Sequence, residues 1–191
     1  MSWYSIALFL HIVGALGLFA GISLEQAGLR RIRRTSTTAA LREWLTVMRA
    51  RRRIEGPAGL VLLVTGIYMA FTSWDHQAWI DFSFVALVVI ALLGALVTGR
   101  TVHEIVSALP SDDQPTPPAL RRRAGSTLLR TGAALRATLA LGIVFNMAVK
   151  PAAPGAVLTL VTALILGGLA PWIPGRSALP TREYGTEHGA P

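Results

Sequence analysis

The chain reads as an all-α, polytopic membrane bundle: four core transmembrane helices, a fifth peripheral one, the N-terminus outside and the C-terminus inside. Five apolar stretches of about twenty residues each have the length a helix needs to cross a bilayer core of about 30 Å. Of 191 residues, 52% are hydrophobic and only 15% charged, and the mean hydropathy of +0.52 suits repeated spans rather than a soluble domain. The net charge of +8 comes from basic residues that stand in blocks between the apolar stretches. Such blocks signal topology, and they exclude a nucleic-acid surface as the reason for the charge. The chain has no cysteine, so disulfides, thiolate metal sites and cysteine nucleophiles are excluded.

The first span covers about residues 5–29, with His11 as its one ionisable side chain before Glu25 near its inner end. No positive segment precedes it and Arg30, Arg31, Arg33 and Arg34 follow it, the reverse of a secretory signal. It is expected to stay in the membrane. Residues 37–53 change pattern: Leu41, Trp44, Leu45 and Met48 recur at helical spacing while arginines take the other faces. An amphipathic helix is expected there, lying on the inner surface or packed as a cytosolic arm. The second span, about 57–74, opens at Pro57, where proline removes no needed donor.

A short external loop with Asp75, His76 and Asp81 leads to the third span, about 80–99. Residues 107–119, with four prolines and two aspartates, read as a flexible linker. A single long helix is expected over 120–150, of which 132–150 crosses the membrane and ends at Lys150-Pro151. The fifth span, 154–173, has no ionisable group and is expected to pack peripherally; Pro154 and Pro171 could tilt it or make it re-entrant. Residues 1–173 form one domain in this reading, followed by a disordered cytoplasmic tail, 174–191.

Orientation follows from the basic residues. Nine lie between spans one and two, six from Arg100 to Arg136, two in the tail and one, Lys150, on the other side. Placing all 17 arginines inside puts the N-terminus out and the C-terminus in. Arginine's near-complete replacement of lysine fits a GC-rich bacterial genome, so a bacterial cytoplasmic (inner) membrane is the expected location.

Two polar stripes carry the candidate chemistry. On span one, His11, Gly14, Leu18, Gly21, Glu25 and Gly28 share an arc of about 100°. On span four, Arg136, Ile143, Asn146, Met147 and Lys150 do the same. The offset from His11 to Glu25 is fourteen residues, equal to that from Arg136 to Lys150, about 21 Å of helix. Because the two spans are antiparallel, facing stripes would bring Glu25 to Arg136 in an inner layer and His11 to Asn146, Met147 and Lys150 in an outer one. An arginine in hydrocarbon costs about 2.5 kcal/mol or more, so a carboxylate partner is expected. Glu25, Glu55 and Arg136 are therefore expected to form an ion cluster with Arg53 and Arg100 at its rim. In the outer layer His11 could ligate a metal or haem, with Thr65, Tyr68 and Met69 at its depth. Gly14, Gly17 and Gly21 leave room beside it for a flat ligand or for close helix contact.

Motifs of soluble enzymes are absent: His103-Glu104 opens an H-E-x-x-H, but Ser107 stands where the second histidine belongs. The segment Leu10-His11-Ile12-Val13-Gly14-Ala15, the arginine-rich turn after Gly28, Glu55-Gly56-Pro57 leading into Gly66-Ile67-Tyr68, and Met147-Ala148-Val149-Lys150-Pro151 do carry a likeness. Together, over residues 5–151, they resemble a family of predicted integral membrane proteins, domain of unknown function family 2269. More distantly they look like the HemJ-type membrane protoporphyrinogen oxidases and the copper-resistance D family. The resemblance implies a helical bundle with haem b or a porphyrin at His11 and Lys150. In that reading His11 is an axial ligand, Lys150 or Met147 a second ligand or propionate partner, and Tyr68 a hydrogen-bond donor. The chain has Asp81 where the oxidases carry a charge early in span three, and no counterpart of their polar Asn-Glu pair in span four.

Three functions stay open: a haem- or porphyrin-linked redox role; a carrier for a metal ion, proton or small solute; and a scaffold acting as a homo-oligomer or with a membrane partner subunit. All place the chain in contact with the lipid bilayer, and none calls for nucleic acid.

Overall fold

The computed structural model describes residues 2–74, 77–110 and 112–172, and they are almost wholly helical. Five rods are long and apolar enough to cross a membrane. The first, α1 (Trp3–Ile32), is capped by Ser2, whose hydroxyl accepts from the Ser5 N–H at 3.2 Å, and ends on Arg30 and Arg31, which suit the negative end of a helix dipole.

The second, α2 (Thr38–Ser73), corrects the expected division into a surface helix over 37–53 and a span over 57–74. It is one helix of 36 residues with Pro57 inside it. Proline forfeits one backbone bond, but the same face stays packed on α1 on both sides of it, through Met48 and Arg51 before and Leu62 and Thr65 after. Packing holds the helix together where local propensity would break it.

The α1–α2 pair is antiparallel and set by glycines. Gly14 faces the Ala58 carbonyl and Leu62, Gly17 faces Ala58, Gly21 faces Glu55 and Gly28 faces Met48. A Cβ on Gly17 would stand 2.7 Å from that of Ala58, so this approach tolerates no side chain. The space beside Gly14 is thus filled by α2, so of the two expected uses of these glycines it is the close helix contact that is realised.

The third rod is compound: α3 (Ala78–Leu92), a π-helical segment (Leu93–Gly99) and α4 (Arg100–Ser107). The expected linker then turns out to be docked. Its backbone bridges Thr37 at Pro115; Thr38 N–H donates to the Gln114 carbonyl at 3.0 Å, and Thr116 N–H to that of Ser36 at 2.9 Å. The fully buried Thr38 hydroxyl donates to the Asp112 carbonyl at 2.8 Å and accepts from Gln114 N–H, while Asp113 Oδ1 accepts from Ala39 N–H. Asp113 and Gln114 therefore satisfy free N–H groups at the start of α2.

The long helix expected over 120–150 is divided into α5 (Pro118–Ala124) and α6 (Thr127–Val149), because Gly125 closes the first and Ser126 caps the second. Lys150 ends α6 in the left-handed conformation, φ 51°, ahead of Pro151. The fifth rod is one continuous helix, α7 (Ala153–Leu169), followed by a 3₁₀ turn (Ala170–Trp172). Ala156, Ala163 and Gly167 fit it closely onto α6, where a Cβ on Gly167 would come within 2.8 Å of Leu135 Cα. The expected tail, 174–191, lies outside the described residues, as does His76.

The apolar interior has two parts. One, built around Leu18, Ile22, Leu62, Ile90 and Leu139, lies within the spans; the other, around Ile32, Leu41, Leu45, Ile105 and Leu129, joins α1, α2, α4 and α6 beyond them. The second part explains the apolar stripe of residues 37–53: it is covered by helices, not by lipid. Between the two lies a polar layer.

Because Thr38 is buried with its hydroxyl both donating and accepting, Thr38→Val should cost about 1–3 kcal/mol. Limited proteolysis of the detergent-solubilised variant should cut faster within 107–119 than in the parent; equal rates would show that the docking contributes nothing.

A buried charge layer beneath an arginine-lined cleft

Glu25 on α1 and Arg136 on α6 are both 0% exposed and form an ion pair through Arg136 Nη1 and Glu25 Oε2. Neither can be left alone in hydrocarbon, where an uncompensated charge costs several kcal/mol. Three further groups complete the pair. Glu55 on α2 meets Arg136 Nη2 through Oε1, and Arg51, one turn earlier, meets Glu55 Oε2 and lies 3.4 Å from Glu25 Oε2. Thr98, in the π-helical segment, donates its hydroxyl to Glu25 Oε1. Two guanidinium groups thus face two carboxylates, and the layer is neutral.

Helix geometry makes the room. Arg136 Nε donates to the Ile90 carbonyl at 3.1 Å, and its guanidinium lies over Gly94, where a Cβ would come within 2.9 Å of Cζ. The π-helical segment begins beside this contact and carries Thr98 to the carboxylate. Gln26 adds a bond from Nε2 to the Ala133 carbonyl at 2.8 Å, tying α1 to α6 at the same depth.

The layer opens to one side. A cleft of about 560 Å³ between α2 and α4 is lined by Thr46, Arg49, Arg51, Arg52, Arg53, Thr98, Gly99 and His103, among others. Arg51 and Thr98 belong to both cleft and layer. On the other side the apolar core around Ile22, Ile90 and Leu139 closes the layer off.

Glu25, Glu55 and Arg136 are brought together. Of the arginines expected at the rim, Arg53 lines the cleft and Arg100 is exposed without lining it; Arg51, not expected there, joins the cluster itself. Arg51 was legible as the i−4 partner of Glu55; Thr98 and Gly94 had no signal, because only the π-helical register gives them their place.

The outer layer does not assemble as expected. His11 is half-buried against α2, its Nδ1 3.0 Å from Thr65 Oγ1 and its ring against Gly66. Asn146 turns to α7, its amide nitrogen 3.5 Å from the Ala156 carbonyl. Lys150 is exposed, its Nζ 4.3 Å from the centre of the Trp74 ring, a cation–π contact. Tyr68 is exposed and Met147 half-buried. Among the described residues no hydrogen bond or ion pair joins His11 to Asn146 or Lys150. The physical reason is the glycine stripe: it spends the polar face of α1 on α2, leaving α6 to pair closely with α7.

One feature of His11 does fit a ligand. Thr65 donates its hydroxyl hydrogen to the Val61 carbonyl at 2.6 Å, so towards His11 it accepts, from Nδ1–H. That assigns the lone pair to Nε2, the arrangement seen in metal-bound histidines, whose other nitrogen is anchored by an acceptor. Among the described residues no hydrogen bond or ion pair joins His11 to Lys150, Met147 or Tyr68, the other residues of the implied haem set. No group of three or more His, Asp or Glu able to hold a metal ion lies among the described residues. Comparison with family models, curated proteins and solved structures found no match.

Arg136→Ala should destabilise the protein by about 3–5 kcal/mol because it strands Glu25, and adding Glu25→Ala should recover part of that loss. Thermal unfolding of the two single variants and the double variant in detergent tests this; strictly additive losses would show that the pair is not coupled.

Proposed function

We propose that the chain is a five-span carrier of the bacterial cytoplasmic membrane, N-terminus out and C-terminus in, moving a small solute through the charge layer. The observation that carries the reading is the asymmetry around Glu25 and Arg136. An apolar core packs against them on one side, and on the other they pair with Arg51 and Thr98, which also form the floor of an arginine-lined cleft. Ionisable groups this deep in a membrane protein characteristically mark a solute or proton pathway. The positive-inside rule places the cleft on the cytoplasmic side, so the conformation is open inward and closed outward. Passage would require the Arg51–Glu25 contact to part and the π-helical segment, the least regular piece of its rod, to readjust. A proton on Glu25 would free Arg51 and Arg136 from one of their two carboxylates, which gives the layer a means of coupling.

A second reading, haem b or a porphyrin at His11, is favoured by the Thr65-anchored tautomer and by the resemblance in the first span. His11 would hold the iron through Nε2, and Thr65 would fix the ring. The bound group would supply one-electron chemistry.

In vesicles loaded or energised for uptake, Glu25→Gln is expected to lower transport at least ~10-fold while the protein still inserts and folds; full activity in that variant would reject the carrier reading. A Soret band in protein from haem-replete cells, lost in His11→Ala and weakened in Thr65→Val, would support the second reading, and a colourless preparation would sink it.

A further inference from the structure

The cleft above the charge layer has charge in excess of anything the layer uses. Arg51 and Arg136 are balanced by Glu25 and Glu55, but Arg49, Arg52 and Arg53 have no carboxylate partner among the described residues. They share one face of α2, being spaced i, i+3 and i+4, and that face forms a wall of the cleft. The facing wall, from Thr98 to Val106, brings His103 and no acidic side chain; Glu104 is turned away to Arg123, 3.0 Å distant. A second observation lies at the floor. Arg51 is 3% exposed and lines the cleft, yet its Nε has no hydrogen-bond acceptor among the described residues. A buried guanidinium N–H is rarely left without one.

We infer that this cleft is a binding site for a phosphoryl group, held by Arg49, Arg52 and Arg53 from the wall and by Arg51 Nε at the floor. About three uncompensated positive charges suit a multiply charged anion better than a single carboxylate, and the planar fork of arginine matches phosphate oxygens in pairs. The volume of about 560 Å³ admits a phosphate ester as readily as a lipid headgroup, and both present the same chemistry. The inference names the solute class for the carrier reading and rests on it only for the consequence that binding leads to transport. As the phosphoryl oxygens engage Arg51, they compete with Glu25 for its guanidinium, which links occupancy of the cleft to the state of the buried pair.

The test titrates pyrophosphate into the purified full chain in a lipid-stripped, phosphate-free maltoside detergent, with citrate as the carboxylate control. Saturable binding is expected, weakened at least ~10-fold in the doubly substituted Arg52→Gln, Arg53→Gln protein, whose exposed positions leave the fold and its melting temperature unchanged. Binding should also weaken as salt is raised. Phosphatidylglycerol that copurifies with the parent, is lost from the double variant and competes with pyrophosphate in nanodiscs would identify the source as a headgroup. Pyrophosphate binding undiminished in phosphatidylglycerol nanodiscs would identify it as a soluble phosphate compound. The inference is overturned by absence of saturable binding to either source, by equal binding in the double variant, or by citrate binding as tightly as pyrophosphate. Binding without uptake in vesicles would uphold the site and reject the carrier reading; Glu25-dependent uptake of another solute without any phosphoryl binding would do the reverse.

Discussion

A guanidinium in hydrocarbon must have a carboxylate, and most of this fold can be derived from supplying one to Arg136. Glu25 sits at the right depth on α1 but has a single charge to offer, while Arg136 presents two terminal nitrogens and Nε. Glu55 takes the second nitrogen and the Ile90 carbonyl takes Nε. Adding Glu55 makes the layer negative, and Arg51 from the same helix restores neutrality. For Glu55 to reach Arg136 and Arg51 to reach Glu25, α2 must lie within small-residue distance of α1, which is what Gly14, Gly17 and Gly21 permit. Of the two uses expected for the glycines, a ligand or close helix contact, the charge layer requires the second.

The five spans could be read from apolar length; the first and fifth rods agree with it within a few residues, and the second, third and fourth run well beyond it at one end. Glu25, Glu55 and Arg136 were legible for a related reason: on any helix their depth follows from counting, and burial then demands that they meet. What failed depended on which neighbour each face chose. Both stripes were expected to face each other along their whole length, yet α1 spends its outer half on α2 and α6 turns Asn146 to α7. Periodicity identifies a polar face without saying what covers it. Continuity failed in both directions for local reasons that tertiary contacts overrode or enforced: Pro57 did not break α2, and Gly125-Ser126 did break the helix before α6. The linker was read from its prolines as loose, but a buried threonine at the start of α2 needed partners and found them there.

Buried ion networks are weak contributors to stability and good determinants of register. Here the apolar cores on either side would tolerate small slides of one rod against another, since leucines and alanines repack cheaply. The layer would not. Moving α6 by one residue, about 1.5 Å along its axis and 100° around it, would take Arg136 out of reach of both carboxylates and of the notch at Gly94. The network therefore selects one alignment of α1, α2, α3 and α6 from several that hydrophobic burial alone would accept.

The same reasoning says where the structure can yield. The α1–α2 and α6–α7 pairs are each locked by small residues in contact with backbone or Cβ atoms, and separating them would open voids along much of their length. The rod of α3, the π-helical segment and α4 has no such stripe. It is held to α1 and α6 at the charge layer by the Thr98 hydroxyl on Glu25 and the Ile90 carbonyl on Arg136, with Ala86, Ile90 and Val102 packing on either side. Hydrogen bonds to a charged group can be exchanged for equivalent bonds to another donor or acceptor, whereas interlocked backbones cannot. If any part of this protein moves against the rest, the rod carrying the π-helical segment is the one whose attachments are replaceable, and the cleft lies along its edge.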